Sequence, residues 1–229
     1  MGWRAEPAGL SGRGEAPDPT PAPSAVGVFD LGLAGRACRL DRAGASATPL
    51  PVQRWRADAG RSDRWLLERC QGPTVDLGCG PGRLVVALTE RGVPALGVDS
   101  STVAIKLCTS RGAVALRRDV FGALPGEGRW DHALLADGNV GIGGNPVALL
   151  CRARQLLNRH GSVLVELARH PGLWRGSARL VGPDGRPGGW FPWAQVGRQA
   201  IHGVAESAGL RLCRVEGRRR VFAELRPHR

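Results

Sequence analysis

The chain has 229 residues, 42% of them hydrophobic, which is enough for one sizeable core at about the upper size of a single domain. No run of about 18 apolar residues occurs, and the first residues lack the apolar stretch of a secretory signal, so we expect a cytoplasmic protein without a membrane anchor. The formal net charge is +12, but Lys106 is the only lysine, and such an Arg-rich composition is typical of GC-rich coding sequence. The charge is therefore weak support for a nucleic-acid partner.

The cysteines indicate reduced thiols rather than disulfides or a metal centre. Six are present, and they are scattered without C-x-x-C or paired Cys/His spacing: Cys38, Cys70, Cys79, Cys108, Cys151 and Cys213. We expect most of them to fill small spaces in the core, and we expect no metal site.

The N-terminal part differs in composition from the rest. Residues 1–25 are rich in Pro, Gly and Ala and poor in large apolar groups, so burial cannot offset the entropy of ordering, and we predict a disordered tail. Residues 26–62 read as short extended pieces, which indicates a small hairpin or lid. The main domain is predicted over residues 63–229, and it opens with a short helix capped by Ser62 or Asp63.

From residue 74 onward the hydrophobic pattern alternates between strands and helices. The predicted strands are "TVDLG", "PALGVDS", "AVALRRDV", "WDHALLAD" and "SVLVELA", and the intervening helices are "GRLVVALTERG", "STVAIKLCTSRG" and "NPVALLCRARQLLNRHG". Residues 194–210 read as a further helix, and "LRLCRVEGRRRVFAEL" as two strands joined by a tight, solvated, charged turn. This order predicts an α/β fold of the Rossmann-like, doubly wound type, with a mostly parallel seven-stranded sheet and an antiparallel C-terminal hairpin.

The turn after the first of these strands indicates a bound ligand. In "VDLGCGPGRL", from Val75 to Leu84, three alternate positions are glycine, and glycine lets a ligand approach bare backbone. A dinucleotide fingerprint would need glycine where Arg83 stands. Asp76 would also repel a pyrophosphate, whereas it suits a ligand that carries an amino group and a sulfonium.

The stretch D-L-G-C-G-P-G resembles motif I of the class I S-adenosylmethionine (SAM)-dependent methyltransferases, and the resemblance extends over roughly Trp65 to Leu225. It implies SAM as the cofactor. In the family, the acid matched by Asp99 bonds the ribose hydroxyls, and the acid matched by Asp119 accepts from the adenine amino group. The resemblance implies the following cofactor-binding residues: Asp76, Gly78, Cys79, Gly80, Gly82, Asp99, Ser100, Asp119, Val120, Asp137, Gly138 and Asn139.

Each of the later landmarks has a purely structural alternative. Asp99 is also placed to cap the helix that follows it, and Asp119 is placed to pair with Arg117 or Arg118. The glycine-rich stretch after Asp137 would serve equally as a flexible connection. We favour the functional interpretation because ligands of such sheets bind beyond the carboxyl ends of the strands, where all three lie.

Methyl transfer from a sulfonium is an in-line displacement, so holding the acceptor at the methyl carbon is the main requirement. If the acceptor atom is protonated, a base is needed, and Asp137 is the first candidate, with His170 and Glu166 behind it. The chain has no Tyr and no tetrad of the kind found in amino-methylating DNA enzymes, which disfavours DNA base methylation.

Acceptor selection is expected from residues 26–62 and from an insert at residues 168–197. Trp190, Phe191 and Trp193 in that insert are predicted to contact substrate, as a lid over an apolar ligand; the alternative is a hydrophobic clasp onto the sheet. We expect a methyltransferase that acts on an oxygen or nitrogen atom of a small molecule. An RNA or tRNA methyltransferase and a non-catalytic SAM-binding protein are the alternatives.

Overall fold

A computed structural model describes residues 29–228, and the tail predicted over residues 1–25 lies outside the described residues. Within that range, no helix combines the length and the apolar character needed to cross a bilayer. The elements in chain order are α1 (Asp30–Leu33), β1 (Arg39–Arg42), β2 (Ala45–Pro49), α2 (Val52–Arg56), α3 (Arg64–Arg69), β3 (Thr74–Leu77), α4 (Arg83–Thr89), β4 (Ala95–Asp99), α5 (Thr102–Ser110), β5 (Ala115–Arg117), β6 (Trp130–Leu135), α6 (Pro146–Leu156), β7 (Leu157–Leu167), β8 (Leu173–Val181), β9 (Phe191–Val196), α7 (Ile201–Ser207), β10 (Leu210–Glu216) and β11 (Val221–Pro227).

The main sheet has seven strands in the order β10-β11-β7-β6-β3-β4-β5. The strands from β7 to β5 are parallel to their neighbours, and β10 and β11 form an antiparallel hairpin against β7. Helices cover both faces, so all four residues of β3 are buried, as expected of a central parallel strand. The predicted fold class is therefore confirmed, with the strand order reversing beside β3.

The core has one main cluster on each face of this sheet. On one face α6 and α7 contribute Leu149, Leu156 and Ile201, and on the other α3 and α4 contribute Leu66 and Leu88; each of these side chains is fully buried. A completely buried side chain of this size stabilises the fold by about 1.5–3 kcal/mol. This packing holds the carboxyl ends of the parallel strands in a fixed arrangement.

A second, antiparallel sheet has the order β2-β1-β8-β9. It joins residues 39–49 to the insert, with Arg39 opposite Val181 and Ser177 opposite Pro192. The two segments expected to select the acceptor thus form one structure. It lies against the loop after β6 so closely that a Cβ at Gly141 would be 2.1 Å from the backbone oxygen of Ala194.

Several local predictions were wrong because strand pairing overrides the local pattern. The long helix before β7 was predicted to reach residue 161 but ends at Leu156, since Leu157 pairs with Trp130 of β6. Residues 194–196 were predicted to be helical but belong to β9, which pairs with β8. The strand predicted at residues 113–120 is ordered as a strand only over Ala115–Arg117.

Two further differences concern the N-terminal segment and the insert. Residues 29–62, which belong to the segment predicted to be a small hairpin or lid, contain the short helices α1 and α2 in addition to the β1–β2 hairpin. The Pro/Gly-rich insert, predicted to be a loop, supplies the two strands β8 and β9. The helix ends at Gly92 and Gly112 are confirmed, and both glycines have the positive φ typical of helix ends.

A pair of glycines tests how tightly the glycine turn packs. Gly82 and Gly112 have φ of 81° and 80°, but a Cβ at Gly82 would lie 2.3 Å from Cys108 Sγ, whereas one at Gly112 meets nothing within 4 Å. We expect Gly112→Ala to lower the free energy of unfolding by about 1–2 kcal/mol through backbone strain alone. Gly82→Ala should lose roughly a further 1–3 kcal/mol from overpacking, measured by urea denaturation. Equal losses would contradict the close packing of α4 against α5.

Candidate active site

A cavity of about 970 Å³ lies between the carboxyl ends of the parallel strands and the second sheet. Its walls include the glycine turn, the ends of β4 and β7, the loops after β5 and β6, and residues of β1, α2 and β9. Almost all of the predicted site residues line it. Gly82 and Trp190 are the exceptions: Gly82 packs against α5, and Trp190 points away from the cavity wall.

The glycine turn is held by its own backbone and by Asn139. Gly78 and Gly80 have φ of 77° and 53°, and the Gly78 N–H donates to Val98 O at 2.8 Å. The Asn139 Nδ2 group donates to Leu77 O at 3.0 Å and to Gly78 O at 2.7 Å. A Cβ at Gly78 would lie 2.6 Å from that nitrogen, so glycine is required there by close approach as well as by φ.

Asp76 is a buried carboxylate that faces the cavity. It is 4% exposed, and no protein group in residues 29–228 donates a hydrogen bond to its oxygens or pairs with them. Burial raises the pKa of Asp76 to about 7; the nearby Asp137 and Asp99 add to this effect, and Arg83 opposes it. An unpaired acid in such a position is suited to a cationic group of a ligand.

Asp99 and Asp119 follow the same pattern on the next two strands. Asp99 accepts from the backbone N–H groups of Gly80 at 3.0 Å and Ser101 at 2.9 Å, and burial raises its pKa. The cap of α5 is Ser101, whose Oγ accepts from Ala104 N, so helix capping does not account for Asp99. Asp119 accepts from Phe121 N at 3.0 Å and has no ion pair within the described range.

A buried ion network that the sequence did not indicate lies beside these acids. Arg83, only 3% exposed, pairs with Asp63 and donates from Nη2 to Asp137 Oδ2 at 2.6 Å. Arg54 donates to the other oxygen of Asp137 at 2.5 Å. Asp137 has a φ of 55° and is the single non-glycine residue with positive φ between residues 29 and 228, which marks it as a strained position.

Arg220 completes the network from the C-terminal hairpin. It donates to both oxygens of Glu166, from Nε at 2.8 Å and Nη2 at 2.6 Å, and from Nη1 to Asp63 at 2.6 Å. Glu166 in turn accepts from Asp137 N at 2.8 Å. The prediction of a solvated turn is therefore wrong for Arg220, whose side chain is 11% exposed, although Arg218 and Arg219 are exposed.

The network bears on the assignment of a catalytic base. Burial would raise the pKa of Asp137, but Arg83 and Arg54 outweigh burial and hold it below its ordinary value. Both Asp137 oxygens accept from the guanidinium groups of Arg54 and Arg83, and both Glu166 oxygens accept from that of Arg220. A base at Asp137, with Glu166 behind it, stays a prediction, and these ion pairs favour a positioning role for both side chains.

His170 and the aromatic residues of the insert have different positions. His170 is exposed at the rim of the cavity, and its Nδ1 accepts from Gly172 N at 3.2 Å. Phe191 and Trp193 line the cavity and contact each other edge to face at 5.9 Å. Trp190 is exposed, stacks against the Arg179 guanidinium at 4.5 Å and does not line the cavity, so its contact with substrate stays a prediction.

Comparison with solved structures identifies the fold. The SAM-dependent methyltransferase from Bacteroides fragilis, solved with S-adenosyl-L-homocysteine (SAH), has a TM-score of 0.74 at 18% identity, with 90% of this chain and 97% of that chain covered. The chain has the class I SAM-dependent methyltransferase fold. The glycopeptide N-methyltransferase MtfA complexed with SAM gives a TM-score of 0.57 at 14% identity, covering 75% and 95% of the two chains.

A third methyltransferase structure, CcbJ from Streptomyces caelestis, gives a TM-score of 0.54 at 18% identity and covers 69% of this chain and 84% of that chain. By sequence, the family model of MetW, the methionine biosynthesis protein, matches residues 61–137. That range contains the glycine turn and the acids Asp76, Asp99, Asp119 and Asp137. Comparison with curated proteins finds no match.

Asp76 makes the stability of the free protein depend on pH. Its pKa is about 7 in the folded state and about 3.9 in an unfolded chain, so the free energy of unfolding falls as pH rises through that window. Asp76→Asn removes this cost. We expect the variant to match the wild type near pH 4 and to exceed it by a few kcal/mol at pH 8, at about 1.4 kcal/mol per pKa unit, in urea denaturation.

The exposed Asp184 supplies the control for this measurement. Asp184→Asn should leave stability unchanged at both pH values. A gain in Asp76→Asn that is the same at pH 4 and pH 8 would show that ionisation of Asp76 is not its cause.

Arg220 is expected to contribute far more to the free energy of unfolding than its neighbours in the charged turn. Arg220→Gln removes both hydrogen bonds from a guanidinium to the buried Glu166 and one of the two guanidinium partners of the buried Asp63, and breaking a buried ion pair in this way typically costs about 3–5 kcal/mol. Arg218→Gln, two positions away and exposed, should change the free energy of unfolding by about 0.5 kcal/mol or less. Urea denaturation of both variants measures the difference, and similar midpoints would contradict a structural role for the network.

Proposed function

We propose that the protein transfers a methyl group from SAM to an oxygen or nitrogen atom of a small-molecule acceptor. One observation carries the proposal. The cavity places three carboxylates without ion-pair partners in the described range, Asp76, Asp99 and Asp119, at the ends of three neighbouring strands around a glycine turn. In a protein with this many arginines, acids left unpaired around a glycine turn favour a ligand that supplies the missing partners.

The residues present fit SAM. The Asp76 carboxylate suits the ammonium of the methionine part, and the Asp99 carboxylate suits two adjacent ribose hydroxyls. Asp119 and the neighbouring backbone of Val120 are placed to bond the adenine edge. Gly78 and Gly80 line the cavity without side chains, which favours close approach of a ligand to their backbone.

When bound, SAM would supply a methyl group on a sulfonium centre. The contribution of this chain is to hold SAM and the acceptor, to orient them and to exclude water. The second sheet covers the cavity with Phe191, Trp193 and Leu40, an apolar wall that disfavours water as a competing nucleophile. The ion network fixes the loop after β6 through Asp137. A fixed loop would help to keep the acceptor atom aligned with the methyl group of SAM.

The ion pairs made by Asp137 and Glu166 have a consequence for proton transfer. An acceptor atom that carries a lone pair and no proton can be methylated in this cavity without a base. For a protonated acceptor, these ion pairs favour His170 at the rim among the three candidates that the sequence suggested. We propose His170 for that role, and its effect on turnover is expected only when the acceptor atom is protonated.

Calorimetric titration of the purified protein with SAH and with NAD tests the proposal. We expect micromolar binding of SAH and no binding of NAD. Asp99→Asn should weaken SAH binding about tenfold, the equivalent of about 1.4 kcal/mol, because a charged acceptor for the ribose is lost. Asp184→Asn is the matched surface control and should bind normally. Absence of SAH binding would reject the proposal, and binding without turnover on any acceptor would favour a non-catalytic SAM-binding protein.

Methylation of RNA is a second candidate, favoured by an arginine groove beside the cavity mouth. Arg169, Arg198, Arg218 and Arg219 line it, and no Asp or Glu of the described residues does. Binding of RNA there would release counterions and weaken steeply with salt. A flat salt dependence of RNA binding would exclude this candidate.

A further inference from the structure

The acids and the arginines that line the cavity belong to different elements. The unpaired acids lie on β3, β4 and the loop after β5, together with Arg118. Three cavity-lining arginines on other elements have no carboxylate partner within residues 29–228: Arg42 on β1, Arg169 after β7 and Arg219 before β11. Arg54, Arg83 and Arg220 line the same cavity, but they are paired with carboxylates.

Arg42 differs from the other two because it is held in place. Its Nη1 donates to Gln195 Oε1 of β9 at 2.7 Å, and its guanidinium lies 5.3 Å from the centre of the Trp174 ring. Asp41, the adjacent residue, is already paired with Arg179 at 2.8 Å. Arg42 is thus partly buried and oriented, but no carboxylate of residues 29–228 pairs with it.

The surroundings of Arg42 in the cavity are apolar and aromatic. Phe29, Phe191 and Trp193 contact one another with ring centroids 5.4–5.9 Å apart, and all three line the cavity with Leu40. Such a wall suits a flat apolar ligand. A guanidinium in an apolar setting interacts more strongly with an anion than it would in water.

We propose that the acceptor carries an oxyanion, a carboxylate or a phosphate, on a flat apolar body, and that Arg42 binds that oxyanion. The inference rests on the proposed function and names the acceptor class. A planar guanidinium matches the geometry of both oxyanions and can donate two parallel hydrogen bonds. Because Gln195 and Trp174 already restrict Arg42, little further side-chain entropy is lost on binding.

Charge would also separate the acceptor from the cofactor. Asp76 suits the cationic part of SAM, whereas an anionic acceptor would be repelled by Asp76, Asp99 and Asp119 and attracted to Arg42. The two ligands would therefore be sorted by charge. A neutral acceptor would leave the Arg42 charge unbalanced in the cavity.

The test is a titration with three probes of similar shape: benzoate, phenyl phosphate and benzamide, each with and without saturating SAH. We expect at least one of the two anions to bind the wild type ten times or more as tightly as neutral benzamide. The tighter of the two identifies the acceptor group as carboxylate or phosphate. Arg42→Gln should abolish the preference, and Arg42→Lys should retain part of it.

Two control variants locate the effect. Arg39→Gln changes an exposed residue of the same strand and should keep the preference, as should Arg219→Gln at the mouth. Four results would each overturn the proposal. They are equal binding of benzamide, a preference that survives Arg42→Gln, loss of the preference in Arg219→Gln alone, and no binding of any probe. Because SAH is titrated separately, SAH binding without an anion preference rejects the acceptor class and leaves the proposed function standing. An anion preference without SAH binding rejects the proposed function and with it the role of the anion as methyl acceptor, and it leaves Arg42 as an oxyanion-binding residue.

Discussion

The buried network of Arg83, Arg220, Asp63, Asp137 and Glu166 is the constraint on which the site depends. It connects the turn before α3, the start of α4, the ends of β6 and β7, and the start of β11. The Arg220 guanidinium donates to Asp63, which lies 157 positions earlier in the chain. Removing a single member would leave at least one buried charge with fewer partners, so the five residues stabilise one another.

The remaining acids of the site follow the opposite rule. Within residues 29–228, Asp76, Asp99 and Asp119 have no positively charged partner, whereas the carboxylates of the network beside them are paired with arginines. Because Asp76 has no cationic partner within residues 29–228, its burial destabilises the free protein at neutral pH. The same carboxylate is suited to bind a cationic group of a ligand. The stability supplied by the network therefore supports a site that is poorly satisfied by the protein alone.

The parts of the site that are encoded locally were predictable from the sequence. The glycine turn and the acids that end successive strands depend on residues within a few positions of one another, and the parallel arrangement of the central strands follows from the alternation of elements. The roles of Arg54, Arg83 and Arg220 were not predictable, because their partners lie elsewhere in the chain. In a sequence with 32 basic residues and only one lysine, nothing local separates Arg220 from the exposed Arg218 and Arg219. Pairing across the fold likewise overrode the helical pattern at residues 194–196.

The second sheet carries an implication for how this protein could diversify. Its cavity-facing wall is made from β1, near the start of the described chain, and from β8 and β9, which lie more than one hundred and thirty positions later; Leu40 pairs with Leu180. Neither segment has a complete set of backbone partners without the other. Replacing the insert with one that cannot pair with β1 would leave β1 with an unmatched edge. A change in the shape of this wall would therefore have to arise in both segments together, or by substitution of side chains on an unchanged sheet.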